Sequence, residues 1–378
     1  MPGLMNDQEV AARVLAHVRD GTTDRSDEVW REPVANYRSP DRLHRELETV
    51  LRKTPTAFCP SAALPENGSY VARVAAGTPL LVVRGDDGRV RAFRNACRHR
   101  GTPLADGSGC SSVFVCPYHG WSYRLDGSLK SIPHADGFPG LDMKAHGLVP
   151  VRADEQLGLV FVTQDAASTP VGEKSVAPWN GMPDLVAPGQ ELLTARSGEV
   201  DVNWKVYLEG FLEGYHIRPA HPKTFYPYGY DNLNVIERCG RNARITFPFR
   251  RIEKLADLPP AERRVDGLLT YVYHLFPNVL VTVLSHHTNI VILEPLAVDR
   301  TRMVMYTLAN RGSGTSAEDA KRDAAFVNDT GGAEDLALVL SIQRSIGSGA
   351  NDVFTFGEFE ALIAHFHRNM RDALGELG

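Results

Sequence analysis

Apolar residues recur at helical spacing near both ends of the chain and at strand spacing between them. Within residues 1–20, Val10, Val14, Leu15 and Val18 predict a helix. Leu43, Leu47 and Leu51 predict another over 41–54, opened by Asp41. From Tyr70 the period changes. β-Branched runs are split by Gly77-Thr78-Pro79 and by Asp86-Asp87-Gly88, which are turn signals, and strands continue to residues 158–162. Residues 45–165 therefore read as a small antiparallel β domain. The polar stretch 166–178, with Pro and Ser, predicts a linker. Beyond it, 194–221 passes from a strand into a helix. Strand signals return at 243–250, 269–275, 278–297 and 302–310 and suggest one open, curved antiparallel sheet. Helices close the chain at 316–329 and 333–346, interrupted by Gly331-Gly332, and at 359–374. The fold class is α+β. Three segments result: 1–44, helical and packed on the last of the three; 45–165; and 166–378.

Composition narrows the function. The chain has 378 residues, is 43% hydrophobic and 23% charged, and carries a formal net charge of −5. That size allows two or three domains. A weakly acidic balance argues against nucleic acid as a partner. No run approaches the ~18 consecutive apolar residues of a membrane helix. The first residues lack a basic stretch followed by an apolar core, so no signal peptide and no membrane attachment are expected. Of five cysteines, Cys59, Cys110 and Cys239 form an odd remainder and read as reduced thiols in the cytoplasm.

The other two cysteines carry chemistry. Cys97-x-His99 and Cys116-x-x-His119 are two short loops, each able to offer two side chains to one metal centre. Zinc takes the same donor set. The flanking Gly101, Pro103, Pro117-Tyr118 and Gly120-Trp121 instead suit a [2Fe–2S] cluster with two thiolates on one iron and two imidazoles on the other. The stretch resembles the Rieske motif.

A second site is suggested at His216 and His221. Five residues apart on an uninterrupted helix, they would point about 140° away from each other. Pro219 between them breaks the helix and lets both rings reach one centre. Iron(II) with open positions calls for a carboxylate as third ligand. Asp335 shares a helix face with Val339, Ile342 and Ile346, and Glu334 with Leu338, Ser341 and Ser345. A carboxylate on the apolar stripe needs a partner, so Asp335 is the better candidate and Glu334 the alternative.

With these residues the chain resembles, over nearly its whole length, the catalytic α subunit of the Rieske non-haem iron oxygenases (aromatic-ring-hydroxylating oxygenases). Asn203-Trp204-Lys205, Glu209, Phe211, Glu213, Tyr215, His216, His221 and Pro222 match that family's iron motif, and Glu334, Asp335, Gln343 and Arg344 its late pattern. Gly210 stands where the family usually has Asn. The resemblance implies a Rieske domain and a helix-grip catalytic domain. The implied cofactors are one [2Fe–2S] cluster, one mononuclear Fe(II) held by a 2-His-1-carboxylate triad, and O2 as co-substrate. The implied activity is hydroxylation, dihydroxylation or demethylation of a small organic, aromatic substrate; N-demethylation of a quaternary ammonium compound is an alternative. It also implies that Glu213 bridges His119 of a neighbouring chain and His216, in a homotrimer; a small β subunit remains open. No G-x-G-x-x-G opens a βαβ unit, so NAD(P)H chemistry belongs to a separate ferredoxin or flavin reductase. Arg94, Arg98 and Arg100 are candidates for docking it.

Substrate contacts are less defined. Phe225, Tyr226, Tyr228 and Tyr230 suit an aromatic ring or a cage for a quaternary ammonium. His286, His287 and Asn289 suit a carboxylate or hydroxyl, with at most one of the two histidines inward. His365 and His367 read as structural. A Rieske electron carrier with an appended domain, and a zinc-binding structural protein, are the competing classes.

Overall fold

The structure, a computed structural model, describes residues 3–165, 179, 181–310 and 316–376; the linker expected at 166–178 lies outside them. Two compact units are distinguished. One takes the chain up to Val50 and from Gln190 onward; the other begins at Leu51 and includes Asp184–Gly189.

Short alternating segments with tight turns build the second unit. Its seven-stranded antiparallel sheet runs Thr56–Pro60, Leu159–Thr163, Pro150–Gln156, Val90–Arg94, Thr78–Arg84, Ser69–Ala75, Gly107–Cys110. A three-stranded sheet of Phe114–Val115, Ser122–Tyr123 and Leu129–Ser131 stands beside it. Leu81, Phe93, Trp121 and Tyr123 form its core together with Cys97 and Cys116.

Longer strands make the first unit's seven-stranded antiparallel sheet, in the order Leu192–Val200, Arg300–Ala309, His287–Ala297, Val279–Val283, Leu269–Leu275, Asn242–Pro248, Val235–Cys239. The run 278–297, expected as continuous, is two strands joined at Leu284–His286. Helices lie on one face. His274 reaches Phe366 of the Ala361–Ala373 helix, with ring centroids 5.5 Å apart, and His287 reaches Asp323 of the Ala317–Val327 helix at 2.9 Å. Register puts His274, Leu280 and Val291 side by side, and Val291 shares a strand face with His287, so both helices cover the same side. Among the described residues no helix is long and apolar enough to cross a membrane, and no disulfide joins the five cysteines.

The helices expected to be interrupted at Gly331-Gly332 are instead joined. Ala317–Val327 passes through a π-turn, Asn328–Gly332, into Ala333–Ser345. The cause is local packing. A Cβ at Gly331 would lie 2.0 Å from the Phe225 ring, so the bare glycine admits that ring under the widened turn.

Within the first unit, a buried carboxylate ties the N-terminal segment to the chain beyond Gln190. The Asp7–Asp20 helix, with Asn6 as its capping-box residue, buries Val10, Ala11 and Val14. Further on, the short Pro40–Arg45 helix runs into a π-turn over Glu46–Leu51 rather than one helix to 54. Glu46, fully buried, accepts from Lys205 Nζ (2.6 Å), Arg42 Nε (3.0 Å) and Trp204 Nε1 (3.2 Å). Asn203 caps the Trp204–Glu209 helix by accepting from Lys205 N. The Asn203-Trp204-Lys205 run is thus a structural clamp. Removing one partner of a buried ion pair typically costs about 3–5 kcal/mol. Glu46→Ala is expected to lower the unfolding free energy by about that amount, read as a reduced denaturant midpoint of the first unit.

Candidate metal centres

The Cys97 and Cys116 loops fold in the same way. Cys97 O accepts from Gly101 N (2.8 Å) and Cys97 N donates to Thr102 O (2.9 Å); Cys116 O accepts from Gly120 N (3.0 Å) and Cys116 N donates to Trp121 O (2.8 Å). Each turn closes on a glycine at positive φ, +82° at Gly101 and +73° at Gly120. The loops bring the His99 and His119 rings to 4.7 Å. Trp121, buried, stacks on His99 at 5.0 Å. Both cysteines are buried, while His119 and the neighbouring Tyr118 are exposed. Tyr123 accepts from Arg98 N (2.9 Å) and so aims its own proton at Cys97 Sγ, 3.2 Å away. Burial and the Cys97 contact push its hydroxyl pKa up.

This donor set fits a [2Fe–2S] cluster. His99 Nδ1 is buried with no hydrogen-bond partner, as an imidazole nitrogen reserved for a metal would be. A single tetrahedral zinc would draw all four donors within about 4 Å of one another. Among the described residues, the group of three or more such donors lying mutually within 4.8 Å is a different one: His216, His221 and Asp335.

That second group is assembled from two stretches remote in sequence. The Trp204–Glu209 helix ends well before the histidines, and Ile217–Ala220 forms a single helical turn. His216 stands at its start and His221 at its end. Pro219 therefore lies within this one turn rather than breaking a longer helix, and the turn's brevity lets both rings face the same point. Glu213 is likewise not on a helix. Its carboxylate, buried, accepts from Tyr215 N and His216 N and pairs with His216 Nδ1.

The proton logic is symmetrical. His216 gives its Nδ1 proton to Glu213, and His221 gives its own to Glu334 Oε2 (2.8 Å), which also accepts from Thr224 Oγ1 (2.6 Å). Both Nε2 lone pairs are then left facing Asp335 Oδ1, at 3.6 Å and 2.9 Å. His221 Nε2 is buried without a hydrogen bond. Burial lowers the pKa of each ring, and the adjacent carboxylates outweigh it, so both are raised. A cation is the missing partner. Two neutral imidazoles and one carboxylate fit iron(II) with positions left open, and Glu213 and Glu334 are the outer carboxylates that orient such rings. The choice between Asp335 and Glu334 thus has a geometric basis.

Beside this group lies a cavity of about 440 Å3, with Tyr207, Phe211, Phe354 and Leu338 in its wall next to Glu213 and His216. Ile342, placed inward by helix phase, is exposed and lines this opening, whereas Val339 and Ile346 are buried. Two of the tyrosines considered for a cation cage are already covered by arginines: Arg218 lies 5.5 Å from the Tyr226 ring, and Arg250 5.4 Å and 5.3 Å from Tyr226 and Tyr230, while Tyr228 is exposed. Phe225 alone of that set touches the centre, 4.8 Å from His221. His367 is structural, its Nε2 lying 2.9 Å from Glu209 and 3.1 Å from Tyr37. Sequence reasoning missed Tyr123, Thr224 and Glu46. Only chain folding brings them to their partners, and no local spacing marks them.

A cluster that stores electrons and a facial-triad iron, carried by one chain, are the division of labour of a terminal oxygenase. The comparisons agree. Residues 54–146 match the Rieske [2Fe-2S] domain, and residues 190–376 match the ring hydroxylating alpha subunit (catalytic domain). The oxygenase subunit of carnitine monooxygenase from Acinetobacter baumannii is 26% identical over 367 residues, covering 90% of this chain and 96% of that protein. Chloroplastic choline monooxygenase from Spinacia oleracea is 28% identical over 347 residues, 89% and 76%. A solved quaternary ammonium Rieske monooxygenase shares the fold with a TM-score of 0.78 at 22% identity, covering 98% of this chain and 99% of that one. Naphthalene 1,2-dioxygenase from Rhodococcus sp. shares it at 0.77 and 19%, covering 98% and 99%. The chain belongs to the Rieske non-haem iron oxygenases, as a catalytic α subunit. Its cofactors are a [2Fe–2S] cluster and a mononuclear iron, its co-substrate is O2, and its reductant comes through a partner protein.

The geometry separates the two carboxylates experimentally. Asp335→Ala is expected to drop iron from about three to about two per chain and leave the Rieske signal intact. Glu334→Ala should weaken mononuclear iron binding roughly 10–100-fold without abolishing it. Metal analysis with EPR checks both.

Proposed function

We propose that this oxygenase monooxygenates a small quaternary ammonium compound. The observation that carries the reading is likeness, over nearly the whole chain, to relatives named carnitine and choline monooxygenase. An aromatic ring, the substrate suggested by the family as a whole, is the second reading. It is supported by the fold shared with naphthalene 1,2-dioxygenase alone. In the proposed enzyme, Cys97 and Cys116 hold one iron of the cluster, His99 and His119 the other, and His216, His221 and Asp335 the mononuclear iron. Once bound, these centres supply electron storage and O2 activation. The chain's own groups do the rest. Glu213 and Glu334 hold the Nδ1 protons and so aim each Nε2 at the metal, Phe225 shields His221 from water, and Tyr123 steadies the Cys97 sulfur. The expected three-part division, 1–44, 45–165 and 166–378, belongs to this reading, as does a cytoplasmic enzyme.

Electrons would cross between chains. Glu213 would join His119 of a neighbouring copy to His216 in a closed homotrimer, since a head-to-tail contact must close. Exposed apolar side chains support an association here: Tyr215, Leu338 and Ile342 near Glu213, and Val115 and Tyr118 near His119. Exposed Arg94, Arg98 and Arg100 would receive an acidic ferredoxin or flavin reductase.

Two measurements test this. Anaerobically reduced enzyme, mixed with O2 and either choline or L-carnitine, is expected to give one oxidised product per reduced site by mass spectrometry. Product from naphthalene instead would favour the second reading. Separately, Glu213→Gln is expected to keep full iron and sulfide while cluster reoxidation in the presence of substrate and O2 slows roughly 10–100-fold. An unchanged rate would remove the bridging role.

A further inference from the structure

A polar chain on the first unit's sheet is used by neither metal centre. His287 Nδ1 lies 2.9 Å from Asp323 Oδ2, His287 Nε2 lies 3.2 Å from Asn289 Nδ2, and Thr307 Oγ1 donates to Asn289 Oδ1 at 2.8 Å. His287 is fully buried and Thr307 nearly so. The proton directions follow. Asp323 accepts the Nδ1 proton, so Nε2 is the lone-pair side and accepts from the Asn289 amide. Both ends of that amide are fixed. One N–H and one Oδ1 lone pair remain available.

Register and connectivity locate this amide. His287, Asn289 and Val291 alternate to one face, the face that meets Asp323. Thr282 and Met305 join them through the pairs Thr282–Asn289 and Val291–Met305. Thr282, Asn289, Val291 and Met305 all keep some accessible surface, although each of their strands is paired along both edges. Their accessible surface therefore lies on the sheet face, on the side that the helical run covers. That run is pinned above the His287–Ala297 strand at both ends. Asp323 holds one end. At the other, Gln343 Oε1 accepts from Asn203 N (2.8 Å), while Asn203 Nδ2 donates to Val298 O (2.7 Å). Asp335 falls between the two pins. About 18 Å of helix separates Asp323 from Asp335, and Asn289 is about 7 Å along the strand from His287, toward the iron ligands. Along this direction the amide and the metal ligands are offset by roughly 10 Å, the scale of a small substrate.

We propose that Asn289 is a specificity-determining residue that binds a hydroxyl of the substrate. His287 and Asp323 are its positioning residues. A hydroxyl both gives and takes a hydrogen bond, which matches the donor and acceptor that Asn289 has left. The proposal rests on the reading of the substrate as a small quaternary ammonium compound, whose hydroxyl end this amide would select.

The test is calorimetric binding to anaerobic, fully iron-loaded enzyme. It uses two probe pairs that differ by a hydroxyl: choline with ethyltrimethylammonium, and 2-phenylethanol with ethylbenzene. Wild type should bind the hydroxyl member of the accepted pair roughly 10-fold more tightly, the worth of one net hydrogen bond. Asn289→Leu should bring the ratio to about one with iron and sulfide unchanged. His287→Leu should lower the ratio, and His287→Gln, which still offers Asn289 an acceptor, should restore it; a merely structural role would not move a ratio between two probes in this way. If no pair shows a hydroxyl preference in wild type, or if Asn289→Leu leaves the preference standing, the assignment is overturned. If choline and its analogue fail to bind while the neutral pair shows the Asn289-dependent ratio, the assignment stands and the quaternary ammonium reading falls.

Discussion

Two imidazole lone pairs and a carboxylate oxygen are made to face one another at His216, His221 and Asp335. Left alone, that meeting is repulsive, and the two outer carboxylates prevent an easy escape. Glu213 and Glu334 occupy the Nδ1 protons, so neither ring relieves the repulsion by turning its N–H inward. A divalent cation resolves the conflict at once. Much of the first unit serves to hold these donors in place. Phe225 is wedged beneath Gly331 and against His221, fixing the π-turn just before Asp335. Gln343 ties the far end of the same helix to Asn203, and Glu46 anchors the next two residues, Trp204 and Lys205.

The cluster unit meets a different demand. The proposed thiolate ligands Cys97 and Cys116 are buried in its core among Leu81, Phe93 and Trp121, and the proposed imidazole ligand His119 is exposed at the rim. Mixed ligation raises the reduction potential above that of an all-thiolate cluster. With the imidazoles outermost, the ligands able to offer an N–H to a partner carboxylate would stand at the surface. A buried tyrosine proton on Cys97 acts in the same direction by withdrawing charge from the sulfur.

What was legible in the sequence is what is local. Each cluster loop is a five-residue turn whose ligands, glycine and capping carbonyl are written consecutively, so its chemistry appears in the spacing. His216 and His221 are legible for the same reason, although the expected kinked helix is a single turn between them. Asp335 was reached only through helix phase and family likeness. Phase placed Val339 and Ile346 correctly but put Ile342 inside, because periodicity does not distinguish a core from the wall of an open cavity. The Gly331-Gly332 break was misleading because glycine marks both helix ends and close approaches; here the approaching group is Phe225, about a hundred positions earlier. Glu46, Tyr123 and the Asp323–His287–Asn289 chain depend on pairings that no window of sequence contains.

The same distinction bears on how substrate choice is built. The proposed metal donors stand on a helix and on a turn locked by hydrogen bonds to their own backbone, so a change there would disturb the chemistry. Of the tyrosines after His221, Tyr226 and Tyr230 are already covered by Arg218 and Arg250, and Tyr228 is exposed. Strand side chains are under no such constraint. Backbone pairing sets the register of the His287–Ala297 strand whatever its side chains are, so residues on its helix-facing side are able to vary without moving the iron ligands. Selectivity is therefore expected to reside on the sheet face and reactivity on the helices above it. An amide fixed at both ends by a buried histidine and a threonine is the kind of group that such a face supports.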